Sequence, residues 1–584
     1  MNQKKKPVKK PGQQLPITRQ TTGTKKISNK RFLIPVIILF ITFLAFLPVL
    51  KNDMLVTWDD QAYVVNNDLV KSLSVQNIVR IFKEDKGLYA NWHPLTTLSL
   101  AVNYKFSGTV SAGYIATNLI IHLLNTLLVF VFIYLLTKKR FEFALAVSLL
   151  FGIHPLHVES VAWISERKDV LYSFFFLLSL ICYLNYTRRQ NWLMYGLSVV
   201  LFLFSLLSKA MAASLPLVLL VIDYYINRKW SFKNLLDKIP YFALALVIGF
   251  YALHIQSESK AISSITFPLV SRILHFCYGF ILYIGKTIIP AGLSAFYPYP
   301  YPLINSSWVM DKNPPVFFVT LIATIIVLML AVVVWLRKPS SARAIISGLL
   351  FYSATIVMVL QFIPVGRAIM ADRYAYLPSI GLFLIGGYFF DKYYKIKKSR
   401  ILAVTLITIF AVIMFFLTWQ RTSVWRNDET LWGDVIDKYP NDGRILIAYT
   451  NRAIYYEHLK KYDFALKDYL TIVGVNPKDD VNLERIGKIY GQNMNDLAKS
   501  LAYLEKAYEV NPKNLEVIKD LGTAYGIAGE GRKSLEYSLK GLAIQPDDAF
   551  LMMNTGIAYQ NLGDLAKGKE YIDRALKIDP GLKR

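Results

Sequence analysis

Cysteine is nearly missing from this 584-residue chain. The two present, Cys182 and Cys277, both sit in apolar segments, so no disulfide framework can be argued. Acidic side chains are scarce in the first 419 residues, where 16 face 42 Lys and Arg, while residues 420–584 balance 24 against 24. The whole excess of +26 thus belongs to the apolar part and reads as a membrane-topology signal, which excludes a nucleic-acid surface. No Gly-rich phosphate loop opens a helix on the basic side, and the loops there cannot fold a nucleotide-binding domain, so chemistry driven by bound ATP is excluded. A single soluble core is excluded as well, because 54% of residues are hydrophobic and mean hydropathy is +0.36.

What is present divides into three parts. Residues 1–31 carry Lys4, Lys5, Lys6, Lys9, Lys10, Lys25, Lys26, Lys30 and Arg31 among Pro, Gln and Thr, a composition that cannot bury a core and reads as a disordered cytoplasmic tail on anionic lipid. Residues 32–419 form a multispanning domain with a first outer loop at 51–112. Residues 32–50 are read as a retained first span, because about 19 apolar residues run on without a small-x-small cleavage site before Lys51. Further apolar segments follow at 113–136, 141–162, 170–187, 191–207, 210–226, 235–256, 271–290, 315–336, 344–362, 377–391 and 401–418.

Short basic connections set the orientation. Lys138 to Arg140, Arg188-Arg189, Arg228-Lys229, Arg337-Lys338 and the Lys392 to Arg400 cluster belong inside. Between Lys229 and Arg337 the number of crossings must be even, yet three segments occupy the interval. The segment 271–290 carries Arg272, His275, Lys286 and Pro290 and is expected to lie at the outer interface or to re-enter. About eleven crossings result, with the N-terminus cytoplasmic and the C-terminus outside.

From 420 onward the text turns to soluble helix. Pro477, Pro512, Pro546 and Pro580 close units at gaps of 35, 34 and 34 residues, the tetratricopeptide period. Small and aromatic residues such as Ala453, Tyr456, Ala465, Gly522, Tyr525 and Gly556 recur where paired helices touch. About four repeats, led by a degenerate unit ending at Pro440, predict a short superhelix whose concave face binds protein or peptide. The fold class is therefore all-α throughout, membrane helices followed by repeats.

The same parity collects five polar patches on the outer side: Trp58-Asp59-Asp60, Asn91-Trp92-His93, His154 to Asp169, Lys209, and Arg367 with Asp372-Arg373-Tyr374. Paired carboxylates beside an aromatic suit general-base work, one oxygen taking a hydroxyl proton while its neighbour orients the acceptor or holds a cation. Asp59 and Asp60 are the catalytic candidates. Arg167, Lys168 and Arg373 offer fixed positive charge that can clamp a phosphate. His154, His157 and Glu159 are metal-ligand types, but Pro155 breaks the helical spacing and no further ligand set is evident. No metal site is assigned and no cofactor is indicated, while a divalent cation stays open.

Taken in order, "WDDQAYVVNN", "NWHPLTTLSL", "GYIATNLIIHLLNTLL", "GIHPLHVESVAWISERKDVLYSFFFLLSL", "LLSKAMAASLPLVLLVID", "ADRYAYLPSIG" and the terminal repeats closely resemble the TMTC family of transmembrane and TPR-repeat O-mannosyltransferases and its prokaryotic relatives. The resemblance covers nearly the whole chain after the basic arm. It implies a glycosyltransferase of GT-C type in the inner or plasma membrane, moving a hexose such as mannose from a polyprenyl-phosphate carrier to Ser or Thr of proteins outside the cytoplasm. It also implies that Asp59 or Asp60 is the base and that Arg167, Lys168, Arg373 and Lys209 hold the donor phosphate. Trp58, His93, His157, Glu159 and Asp372 would support the site or meet the acceptor. Family members often carry an acid after the Lys of the "LLSK" stretch, whereas Ala210 follows Lys209 here. The repeats are expected to present the acceptor, and their removal after Arg426 to leave the active site intact. The competing class is a membrane-anchored repeat adaptor that assembles envelope complexes without catalysis.

Overall fold

The computed structural model describes residues 30–582, apart from 85–91, 259–266, 302, 305–306, 309–312, 340, 365 and 441. Residues 1–29 of the basic arm, and Asn91, lie outside the described residues. Helices dominate, and the described strands amount to two short antiparallel ladders, Tyr297–Pro298 with Ala368–Met370 and Leu303–Ile304 with Ser307–Trp308.

Each of the twelve apolar segments is helical. Among the described residues, seven helices are long and apolar enough to cross a membrane, or eight if the pair Phe141–Gly152 and Pro155–Ala162, bent by 53°, counts as one span. The expected eleven is not reached on that measure. Trp192–Ser208 and Ser379–Tyr394 have 17 and 16 residues, about 24–26 Å of helix against a hydrocarbon core of about 30 Å. Leu269–Ile288 is long enough at 20 residues, but Arg272, His275 and Lys286 dilute its apolarity. That is the segment expected not to cross.

In lipid every backbone and hydroxyl group needs a partner within the protein. Gln190, left-handed at φ +52°, closes Arg167–Arg189, and the Asn191 side chain accepts from the amides of Leu193 and Met194 to start Trp192–Ser208. The two helices of this hairpin are then stitched by reciprocal bonds, Ser179 Oγ to Ser198 O and Ser198 Oγ to Ser179 O, both 2.8 Å. Glycine sets another crossing. A Cβ on Gly381 would meet the Gly348 carbonyl and stand 2.7 Å from Tyr352 N, so Ala342–Ile356 and Ser379–Tyr394 touch backbone to backbone. Gly381→Ala is expected to destabilise the protein by about 1–3 kcal/mol through forced separation of these helices. An unchanged melting temperature in detergent would show that the crossing yields without cost.

After Arg400–Val424, which runs through the expected boundary at 419/420, a single helix Asp428–Lys438 precedes four helix pairs. The pairs are Leu446–His458 with Tyr462–Val475, Asp480–Lys488 with Leu497–Val510, Leu515–Ile527 with Gly531–Ile544, and Ala549–Asn561 with Leu565–Ile578. The expected degenerate leading unit is thus one helix. Asp479, Asp496, Asn514, Asp548 and Asp564 cap helix starts through their side chains. Gly487 and Gly556 let partners close, a Cβ there meeting Leu504 at 2.7 Å and Gly568 O at 2.8 Å. One buried core runs without a break from Phe46 through Trp163 and Trp432 to Tyr469 and Ile486, so the first repeats share a core with the membrane half. Later repeats pack a separate core around Leu504, Val517 and Tyr525.

Candidate active site

The two adjacent acids have different surroundings. Asp60 is buried, and both its oxygens are used: Oδ1 accepts the Ser165 amide at 2.9 Å and the Ser165 hydroxyl, and Oδ2 accepts the Leu55 amide at 3.1 Å. It ties the acid loop to the turn that starts Arg167–Arg189. Burial pushes its pKa up to about 7, against the Ser165 and Leu55 donors that favour the charged form. None of these donors reaches Asp59. That side chain is half-buried, raised in pKa first by burial and pulled back by Lys168 and Arg373, with Glu166 opposing them.

The charges that face Asp59 form a closed network around Glu166. Its Oε1 lies 3.1 Å from Lys168 Nζ and 3.2 Å from Arg373 Nε, and its Oε2 lies 3.6 Å from Lys209 Nζ. Lys209 also pairs with Asp169, and Arg373 with Glu159, whose other oxygen accepts the Arg373 amide at 3.0 Å. Four carboxylates therefore surround three cations. Aromatic faces complete the walls: Lys168 lies 5.1 Å from the Tyr63 ring, Lys209 5.6 Å from Tyr374, and Arg373 4.8 Å from Tyr374 and 5.4 Å from Trp163.

Arg167 is not part of this network. One helical step separates it from its neighbours by about 100°, and its guanidinium donates to Asn118 Oδ1, to Ser99 Oγ and Asn103 Oδ1 at 2.8 Å each, and to Tyr114 O at 2.8 Å. It joins three elements, and its bonds are made to the protein itself. His157 likewise bonds Phe151 O at 2.8 Å and Ser379 Oγ at 3.1 Å, inside a packed cluster with His122 and Tyr376. His154 bonds Thr287 O at 3.0 Å. Among the described residues no group of His, Cys, Asp and Glu is placed to hold a metal ion. Asp372 faces away from the network, accepting from Tyr297 OH at 2.6 Å and lying 3.7 Å from Arg421, and Arg367 is exposed. His93 is buried near Lys168 and Lys209, and burial followed by those charges lowers its pKa to about 3, so its ring is neutral. Its Nδ1 finds no hydrogen-bond partner among the described residues.

Reading single patches missed two features. Glu166 as the hub is signalled by the run Glu166-Arg167-Lys168-Asp169 at the head of an apolar helix, where Glu166 and Asp169 share a face three residues apart. The helix Asp428–Lys438 carries no such signal. Its Asp428 accepts the amides of Val56 at 2.8 Å and Thr57 at 3.1 Å together with the Thr57 hydroxyl, and Trp432 Nε1 donates to that hydroxyl at 3.0 Å. Trp58 stacks among Trp163, Trp432 and Trp425 at 4.2, 4.9 and 6.3 Å between ring centres. The acid loop and the start of the repeats therefore lie at one end of the membrane helices. Arg188-Arg189 and Arg400 stand at the far ends of Arg167–Arg189 and Arg400–Val424, about 35 Å away at 1.5 Å per residue.

Comparison with known proteins bears on this arrangement. Residues 482–514 and 551–582 match the model of the tetratricopeptide repeat family. The chain is 24% identical over 438 residues to the protein O-mannosyl-transferase F38B6.6 of Caenorhabditis elegans, covering 70% of this chain and 58% of that protein. It is 22% identical to human protein O-mannosyl-transferase TMTC3, over 75% of this chain and 51% of the relative, and 23% identical to human TMTC1, over 70% and 52%. The chain thus spans about half the length of the curated relatives it matches. Among solved structures it resembles the MamA protein at 18% identity, over 26% of this chain and 80% of that one, with a TM-score of 0.24. The likeness to YrrB, a tetratricopeptide protein, is 17% identity over 33% and 93%, also with a TM-score of 0.24. By these identities and coverages, and by the repeats, the chain is similar to the TMTC protein O-mannosyl-transferases.

Proposed function

We propose that the protein is a membrane glycosyltransferase of GT-C type that moves a hexose, mannose by the names of its relatives, from a polyprenyl-phosphate carrier to Ser or Thr of proteins on the extracytoplasmic side. The observation that carries this reading is Asp59, a carboxylate free of the bonds that hold Asp60, set against Lys168, Glu166 and Arg373. In the transfer, the acceptor hydroxyl oxygen attacks the anomeric carbon and its proton passes to Asp59. The bond from that carbon to the phosphate oxygen breaks, its electron pair staying on the phosphate. Lys168 and Arg373, with Lys209 behind them, stabilise the charge that develops there, a task that needs only fixed cations in a water-poor site. Arg167 acts at a distance by holding the helix head in place.

The orientation rests on the same geometry. With the basic turns at the cytoplasmic ends of their helices, the acid loop and the repeats face outward together, where the concave repeat surface meets protein acceptors. Purified protein is expected to transfer labelled mannose from polyprenyl phosphate to envelope proteins. A reporter fused after Arg584 is expected to be active only outside the cytoplasm. Absence of transfer with every polyprenyl donor tried would favour the adaptor, and cytoplasmic reporter activity would overturn the sidedness.

A further inference from the structure

The helix Asp428–Lys438 belongs by sequence to the repeat region, yet its contacts go to both halves of the candidate site. One face, built from Asp428 and Trp432 four residues on, holds the acid loop. Asp428 is fully buried and receives two loop amides and a hydroxyl, and Trp432 packs on Trp58, the residue before Asp59. Upstream, the Asp53 amide donates to Arg426 O at 2.7 Å and Asn52 Nδ2 to Thr422 O at 3.4 Å, so the loop is also bonded to the chain leading into that helix. A second face, built from Asp434 and Lys438, holds the other wall. Asp434 pairs with Arg421 at 2.7 Å, Arg421 lies 3.7 Å from Asp372, and Arg373 follows next in the chain. Lys438 pairs with Asp434 at 2.5 Å and donates to Leu293 O, beside the segment whose Tyr297 bonds Asp372. Trp163, whose ring packs against Trp58, is with Tyr374 one of the two rings that Arg373 lies over.

From this geometry we infer that Asp428–Lys438 is a working part of the transfer site, with Asp428 the positioning residue that holds Asp59 at its distance from Lys168 and Arg373. The inference rests on the glycosyltransferase reading for its kinetic consequence, but the positioning itself does not. It replaces the expectation that the repeats are a detachable tether, because cutting after Arg426 removes Asp428 and Trp432 and uncovers the Trp58 cluster.

The experiment uses the full chain with Asp428→Asn. The amide keeps the size of the side chain and one accepting oxygen, but its nitrogen cannot accept from a loop amide. Two measurements are made on wild type and variant: sugar transfer to a short Ser/Thr peptide, too small to engage the repeats, and hydrogen exchange of the amides of residues 53–60. The expected result is that kcat for the peptide falls ~10- to 100-fold with KM for the polyprenyl-phosphate donor held within ~2-fold, since displacement of a reacting group by about 1 Å costs that much. Exchange at Val56 and Thr57 should quicken, and Asp428→Glu should recover part of kcat. If Asp428→Asn misfolds, Trp432→Phe, which keeps an aromatic ring of smaller size and deletes the donor to Thr57, takes its place with the same two readouts. Unchanged peptide kcat with a loss confined to large protein acceptors would overturn the inference in favour of a tether. Should the wild type transfer no sugar at all, the functional reading falls while exchange still decides: faster exchange in the variant upholds the positioning, and identical exchange overturns it.

Discussion

Asp59→Asn is expected to lower sugar transfer by roughly 10²- to 10⁴-fold in a protein that folds and binds donor as before, because Asn keeps the size of the side chain and removes only the basic oxygen. Asp60→Asn is expected to fail differently. Its oxygens accept from Ser165 and Leu55, and an amide nitrogen turned toward either would set donor against donor at a buried site, a loss of about 1–3 kcal/mol. The yield of monodisperse protein should fall before activity per folded molecule does. The two adjacent acids thus separate by assay, one in turnover and the other in stability. The pH dependence has a definite sign. The base acts ionised, and burial raises the Asp59 pKa above its ordinary 3.8, so transfer should be absent at low pH and rise as pH increases through that raised value. Transfer at the wild-type rate by Asp59→Asn, with a loss in folded Asp60→Asn, would exchange the assignments. Wild-type transfer by both would mean that neither acid is the base.

Much of this was legible in the sequence, for reasons that also explain where legibility ended. Hydropathy and the spacing of Pro477, Pro512, Pro546 and Pro580 report on repeating local structure, and the helices and the paired repeats appear where those signals lie. Charge parity brought the Asp59, Glu159, Lys168, Lys209 and Arg373 segments to one end although they are up to 314 positions apart, since topology depends on helix ends and not on packing. Direction around a helix is finer information. Arg167 and Lys168 look alike in the text, yet one step of helix sends the first to Asn118 and the second to Glu166. Asp59 and Asp60 are likewise told apart only by which of them meets Ser165. The docking of Asp428 on Val56 and Thr57 spans 372 and 371 positions without any periodic signal, because a single long-range contact leaves no pattern in either segment. The expected eleven spans are not reached on helix length and apolarity because an apolar run and a membrane-length helix differ by only a few residues, as in Trp192–Ser208 and Ser379–Tyr394.

Glu166→Gln is expected to produce the largest change in stability. Glu166 is buried and stands 3.1 Å from Lys168, 3.2 Å from Arg373 and 3.6 Å from Lys209. Arg373 keeps Glu159 and Lys209 keeps Asp169 when that charge is gone, but Lys168 loses the carboxylate with which it pairs directly. Removal of one partner from a buried ion pair leaves an uncompensated charge and costs about 3–5 kcal/mol, against about 0–1 kcal/mol for a pair at the surface. The melting temperature of Glu166→Gln in detergent should therefore drop by several degrees or more. The variant also tests the donor site. If Lys168, Arg373 and Lys209 receive the carrier phosphate, an anion entering there takes over part of the work of the missing carboxylate, so polyprenyl phosphate should raise the melting temperature of Glu166→Gln more than that of the wild type. Equal shifts in the two proteins would mean that the phosphate is held elsewhere. An unchanged melting temperature without donor would mean that water already reaches Lys168, and that the network holds the site open instead of holding the helices together.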